Sequence, residues 1–236
     1  MRSLKTTFQD INADARDGFY RMVTFLLYLI CRIFFRVKIF GQEKPLSWRR
    51  QHHLPFVAVA RHKSHWDIPS LAVAFGSSLK NRLKYVAKNS LKVFLQLIPF
   101  SNHFVIYINR DNPKKSDIEK TIKTLKDGNN IAIFPEGTTV PENKKFFGGI
   151  ILIIEKVEQM IDQKIPIFPL NIKTKGPYGK PRGKWYYYLL RMVEAELRIG
   201  GPIFLRDLEK AVNGKVSKKQ RRNTMVEELL RKVDQI

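Results

Sequence analysis

A single cysteine, Cys31, rules out an intramolecular disulfide and a cysteine-rich zinc site. A reducing, cytosol-facing location follows as the default. Acidic residues are scarce as well: 21 Asp plus Glu stand against 43 Lys plus Arg, a net charge of +22. Such a chain is drawn to polyanions, and nucleic acid and an anionic membrane are both candidates. The apolar run near the N-terminus, residues 22–31, holds ten uncharged residues, where a spanning helix needs ~20. Internal repeats and low-complexity tracts are lacking. A length of 236 residues suits one domain with a substantial core and an appendage or two.

Arg21 and Arg32 bound the apolar run, and Arg36 and Lys38 follow it. Asp10, Asp14 and Asp17 precede it and no small-residue cleavage site comes after, which argues against a signal peptide. A helix that lies in one leaflet with its arginines snorkelling to head groups fits better, while an ordinary buried helix of this length stays open. The expected division is a membrane-associating segment over residues 1–36, peripheral or monotopic on the cytoplasmic face, and an α/β domain over residues 37–236.

Within that domain Val37-Lys38-Ile39-Phe40 alternates and breaks at Gly41, reading as a first strand and turn. Residues 42–53 read as polar and irregular. Residues 57–60 form a short apolar strand, and a helix is expected over residues 68–78. Lys80, Arg82, Lys84, Lys88 and Lys92 then follow with no acidic residue among them. That run reads as a solvated face that can also meet phosphates. Further strands are expected over residues 103–108, 131–134 and 165–170. A helix opens at Asn112-Pro113 and stops at Gly128, and another covers residues 148–160. The last twenty residues, from Ser217, read as a charged amphipathic helix with Met225, Leu229 and Leu230 inward, serving packing alone. Strand and helix alternate, which predicts a largely parallel or mixed sheet covered by helices on both sides.

Polar tips follow three of these strands: His62 with Asp67, Arg110, and Glu136-Gly137-Thr138. Chemistry on such a sheet gathers at strand ends. A spacing of five puts His62 and Asp67 ~140° apart on a helix, so they meet only if the segment between them turns. If they meet, the carboxylate holds the imidazole in one tautomer and His62 becomes a competent general base. Asp67 followed by Ile-Pro-Ser-Leu also reads as a plain helix N-cap.

His62-x-Ser64-x-x-Asp67 after an apolar strand resembles the first motif of the glycerolipid acyltransferases, the family of 1-acylglycerol-3-phosphate acyltransferases. Tyr107-Ile108-Asn109-Arg110 is similar to the second motif and Phe134-Pro135-Glu136-Gly137-Thr138 to the third, the most specific match. Ile165-Pro166-Ile167-Phe168-Pro169 resembles the fourth. The resemblance implies that His62 takes the proton of the acceptor hydroxyl and that Asp67 orients it. Arg110 would pair with the acceptor phosphate. Phe134 and Pro135 with Glu136, Gly137 and Thr138 would form the acceptor site, the glycine letting the backbone approach closely. The acyl donor would be acyl-CoA or acyl carrier protein, used as co-substrate with no cofactor and no metal, and the products phosphatidic acid and free thiol.

The chain departs from that pattern in places. Arg61 stands where Asn is usual, Phe104 where a glycine falls, and Asn109 where Asp is usual. Thr139-Val140 replaces the common Arg-Ser, so a second phosphate-binding arginine is missing. Lys144 or Lys145 would supply a cation there, as a point charge with less directional fit. Another lysophospholipid, or glycerol 3-phosphate, is therefore the alternative acceptor. Two other classes are weaker. A nucleic-acid-binding protein would use the +22 charge, but the basic residues are scattered and carry no groove-reading motif. A metal hydrolase would use His62, His65, Asp67 and His103, but no third ligand is obvious.

Overall fold

The computed structural model describes residues 18–19, 22, 25–26, 29, 35–62, 67–76, 83–89, 92, 104–109, 114–136, 148–175, 193–212, 214 and 216–236. Its centre is a pair of parallel strands, β2 (Val57–Ala60) and β5 (Asn130–Ile133), buried at every position. Unbroken apolar runs of this kind belong to parallel strands covered on both faces. Around the pair the sheet is completed by β1 (Phe35–Phe40), β3 (Leu83–Lys88), β4 (Val105–Ile108), β6 (Ile167–Lys175) and β7 (Val193–Ile199). The seven strands run in the order β1-β7-β6-β2-β5-β3-β4. Every pairing is parallel except β6 with β7.

Because side chains alternate across a strand, each face of the sheet builds its own core. Val57, Val59, Ile131 and Ile133 point to one face. There they pack with Ile122 and Leu125 of α3 (Lys115–Lys126), Ile150 and Ile154 of α4 (Gly149–Ile161), and Met225 and Leu229 of α6 (Lys218–Asp234). Ala58, Ala60, Ala132 and Phe134 point to the other, against Leu71, Ala74 and Phe75 of α2 (Asp67–Gly76). Trp48 of α1 (Glu43–His52) packs on that second core. A short helix, α5 (Leu205–Glu209), precedes α6. The expected mixed sheet with helices on both sides is the observed fold.

Several local readings are corrected. Residues 42–53 are not irregular: they hold α1, which ends at His53 in the left-handed conformation at φ 55°. Its apolar periodicity is weak because little of it faces the core, and it is tied down instead by Lys44 Nζ donating to the Ile199 carbonyl at 3.0 Å. Gly41, at φ 79°, makes the turn into it. The basic run after α2 is not simply a solvated face, since Lys84 and Lys88 alternate with buried Leu83, Tyr85 and Ala87 along β3, between β5 and β4. Helix α3 starts at Lys115 with Lys114 as its cap residue, later than expected. Strand β6 runs on to Lys175, and β7 was not foreseen. Helix α6 is capped by Ser217, whose Oγ accepts from the Gln220 N–H at 3.2 Å while the Gln220 side chain returns to the Ser217 N–H at 3.3 Å.

Candidate active site

Two neighbouring strands end together. The register pairs Val59 with Ile133, so the residues that follow β2 and β5 emerge side by side at the carboxyl edge of the sheet. From β2 come Arg61 and His62, and from β5 come Phe134, Pro135 and Glu136. Asp67 opens α2, whose axis starts beside the same edge. The two side chains meet: His62 Nδ1 lies 3.0 Å from Asp67 Oδ2. An ionised carboxylate only accepts, so the proton of a neutral ring sits on Nδ1 and the lone pair on Nε2. Asp67 is buried, and His62 keeps 16 % of its side-chain surface exposed.

Two further groups set the ring. Phe134 packs against it, with ring centroids 4.7 Å apart and planes inclined by 31°. Glu136 holds its backbone, accepting the His62 N–H at 3.2 Å through Oε2. The Glu136 carboxylate is fully buried, and its other oxygen takes Arg61 Nη1 in an ion pair. Glu136 is thus turned inward onto Arg61 and His62. Arg61 also reaches the end of α6, where Nε donates to Asp234 Oδ1 at 2.8 Å and Nη2 to Oδ2 at 2.6 Å. Burial acts to lower the Arg61 pKa, but the hydrogen bonds and charges of Asp234 and Glu136 outweigh it and leave the value raised. The last helix therefore does more than pack.

On the α3 and α4 side of the sheet lies a cavity of about 480 Å³, which His62, Asp67 and Glu136 do not line. Val86, Ile108, Ile118, Ile133 and Ile153 form its apolar wall. Phe134 and Pro135 belong both to this lining and to the strand end that carries the site. Lys219, Arg222 and Asn223 of α6 add polar groups. Arg222 is already paired with Glu155, at 2.9 Å from Nε and 2.7 Å from Nη2. The volume and lining suit an elongated apolar group.

The structure thus gathers His62, Asp67, Phe134, Pro135 and Glu136 from the expected residues. Arg110, Gly137, Thr138, Lys144 and Lys145 lie outside the described residues, as do His65 and His103. Among the described residues no group of three or more His, Cys, Asp or Glu stands together to hold a metal ion. The sequence marks Arg61 only as a departure from the usual Asn before His62. It has no signal for Asp234, which is 173 positions away along the chain from Arg61.

A curated relative, the 1-acyl-sn-glycerol-3-phosphate acyltransferase of Bacillus subtilis (strain 168), is 26 % identical over 184 residues, covering 77 % of this chain and 84 % of the relative. The crystal structure of the 1-acyl-sn-glycerophosphate acyltransferase of Thermotoga maritima shares the fold, with a TM-score of 0.56 at 20 % identity over 93 % of this chain and 82 % of that one. The family described as Acyltransferase matches residues 41–173, a span that runs from the turn after β1 through β2, His62, Asp67 and Glu136 into β6. With its strand-end His and Asp in contact and more than half of its length matched, the chain belongs to the acyltransferase family and is an O-acyltransferase.

Proposed function

We propose that this enzyme moves a fatty acyl group from an acyl thioester, acyl-CoA or acyl carrier protein, to the free hydroxyl of 1-acylglycerol 3-phosphate, as the Bacillus relative's name describes for that protein. The observation that carries the reading is the 3.0 Å contact between His62 Nδ1 and Asp67, at a strand end whose Phe134 and Pro135 also line an apolar cavity. With Nδ1 occupied, Nε2 takes the acceptor's hydroxyl proton as the oxygen attacks the thioester carbonyl. Asp67 steadies the imidazolium so formed. Collapse of the tetrahedral intermediate breaks the C–S bond, and the imidazolium returns the proton to the departing sulfur. Phosphatidic acid and free thiol result, and no group beyond the chain and its two substrates takes part. The cavity accepts an acyl chain. Arg110 pairs with the phosphate, helped by Lys144 or Lys145, while Gly137 and Thr138 hold the glycerol.

Both acceptor and product are bilayer components, so the enzyme works at a membrane surface. Support comes from helical Met22, Phe25, Leu26 and Leu29, whose spacing puts them on one helix face and whose side chains are 36 % to 57 % exposed. That face suits the acyl boundary of an anionic leaflet, with the net charge of +22 adding attraction. Among the described residues no helix is long and apolar enough to cross a membrane.

The test is thiol release across a panel of acceptors, with His62→Ala as control. The fastest turnover is expected with 1-acylglycerol 3-phosphate and none above background with the variant. A second reading, another lysophospholipid or glycerol 3-phosphate as acceptor, is favoured by Thr139-Val140 in place of Arg-Ser. Faster turnover with one of those acceptors decides for it.

A further inference from the structure

We propose that Arg61 is a positioning residue, which sets His62 through the buried Glu136 carboxylate and is itself locked by Asp234 at the end of the last helix. The proposal rests on the reading of His62 as the base. A fully buried carboxylate is stable as an anion only when a cation and hydrogen-bond donors meet it. Glu136 has both from one short stretch of chain: Arg61 Nη1 at one oxygen and the His62 N–H at the other, 3.2 Å away. Arg61 and His62 are neighbours in sequence, so the same carboxylate ties down the guanidinium and the backbone of the next residue. What fixes Arg61 is the other edge of its fork, held by Asp234 at 2.8 Å and 2.6 Å. Three donors aimed in two directions are a geometry that Lys cannot reproduce. The side-chain exposures, 0 % for Glu136, 21 % for Arg61 and 46 % for Asp234, rank the contacts from the site outward.

The charges facing His62 make the proposal measurable. Asp67 meets its ring, Glu136 meets its N–H, Arg61 adjoins it in the chain, Asp234 lies beyond Arg61, and the Phe134 ring is uncharged. Deleting the Arg61 cation removes the charge that keeps the buried Glu136 ionised, so Glu136 and His62 titrate as a coupled pair that binds a proton at higher pH than before.

The experiment is the pH dependence of kcat/KM for thiol release by the full-length protein, with acyl-CoA and 1-acylglycerol 3-phosphate in mixed micelles. Arg61→Ala is expected to lower kcat about tenfold with KM near wild type. The acid limb of its profile should move to higher pH. Adding Glu136→Gln in the same chain should return the limb to the wild-type position and recover part of kcat, since the amide oxygen still accepts the His62 N–H without a charge. A merely structural Arg61 would lower the amplitude and leave the limb in place. An unmoved limb, or a limb that Glu136→Gln does not restore, overturns the proposal. If Arg61→Ala does not fold by circular dichroism, Asp234→Ala decides, because the half-exposed Asp234 side chain can be removed without opening the core. That variant is expected to lose about threefold in kcat at unchanged KM, and wild-type kcat overturns the proposal. A wild-type protein inactive across the acceptor panel overturns the acyl-transfer reading and this role with it, whereas an active wild type with an unmoved limb overturns this role alone.

Discussion

Replacing His62 with Ala deletes the ring whose Nδ1 sits 3.0 Å from Asp67 Oδ2, and with it the only proton acceptor the mechanism uses. A positioned general base contributes ~10² to 10⁴-fold, so turnover should fall by that factor. Asp67→Asn separates the charge from the ring. It keeps a side chain of the same size at the start of α2 but loses a charge-assisted hydrogen bond worth ~1.5–3 kcal/mol, which is about 10- to 150-fold. The loss is therefore smaller than that of His62→Ala. Folding should survive both changes. His62 is partly exposed, and the buried Asp67 charge contributes up to ~2 kcal/mol at a helix N-terminus. A change near 1 kcal/mol moves Tm by ~2–4 °C in a domain of this size. The assay is steady-state thiol release, with circular dichroism melts on the same preparations. Retention of a tenth of wild-type turnover by the His62→Ala enzyme would refute the reasoning, because a spectator histidine behaves in that way and a general base does not.

Arg110→Lys is expected to weaken binding of a phosphate-bearing acceptor and leave the thioester's KM unchanged, since Lys keeps the charge and loses the fork; an equal loss with a neutral acceptor would make the residue structural. Gly148→Ala should destabilise the domain, because a Cβ there would lie 2.8 Å from Arg222 Cβ and 3.0 Å from Asn223 Oδ1 on α6. Overpacking costs ~1–3 kcal/mol, read as a lower denaturant midpoint at unchanged slope. The protein should sediment with anionic vesicles, leave them in part at high salt and fully only in detergent, because cations near anionic lipid add ~1 kcal/mol each and are screened over ~10 Å. Removing residues 1–34 should abolish the salt-resistant fraction and spare turnover in detergent; a truncated protein inactive even in mixed micelles would place that segment in the core.

Much of the architecture is legible in the sequence. Val57–Ala60 and the run at residues 131–134 read as buried strands because parallel strands covered on both faces need apolar side chains at every position. Elements that do not bury a continuous face were harder to read. Helix α1 shows little apolar periodicity because only Pro45 is buried along its length. Strand β3 sets the half-buried Lys84 and Lys88 among buried Leu83, Tyr85, Val86 and Ala87, and its place in a run rich in lysine masked the apolar positions. Strand β7 was missed altogether, although Leu197 and Ile199 pack into the core.

The candidate site divides along the same line. The sequence by itself determined which residue types stand at the strand ends, His62 and Asp67 after β2 and Glu136 after β5, because local motifs and strand periodicity are properties of neighbouring residues. Whether His62 and Asp67 touch was left open by their spacing, and only their 3.0 Å contact in the folded chain settled it. The inward set of Glu136 and the bridge from Arg61 to Asp234 were decided by the tertiary structure alone. The register of β2 against β5 sets Glu136 beside the His62 backbone, and the packing of α6 on the sheet brings Asp234 to Arg61. Contacts of that kind depend on the path of the whole chain between the partners, which no stretch of neighbouring residues encodes.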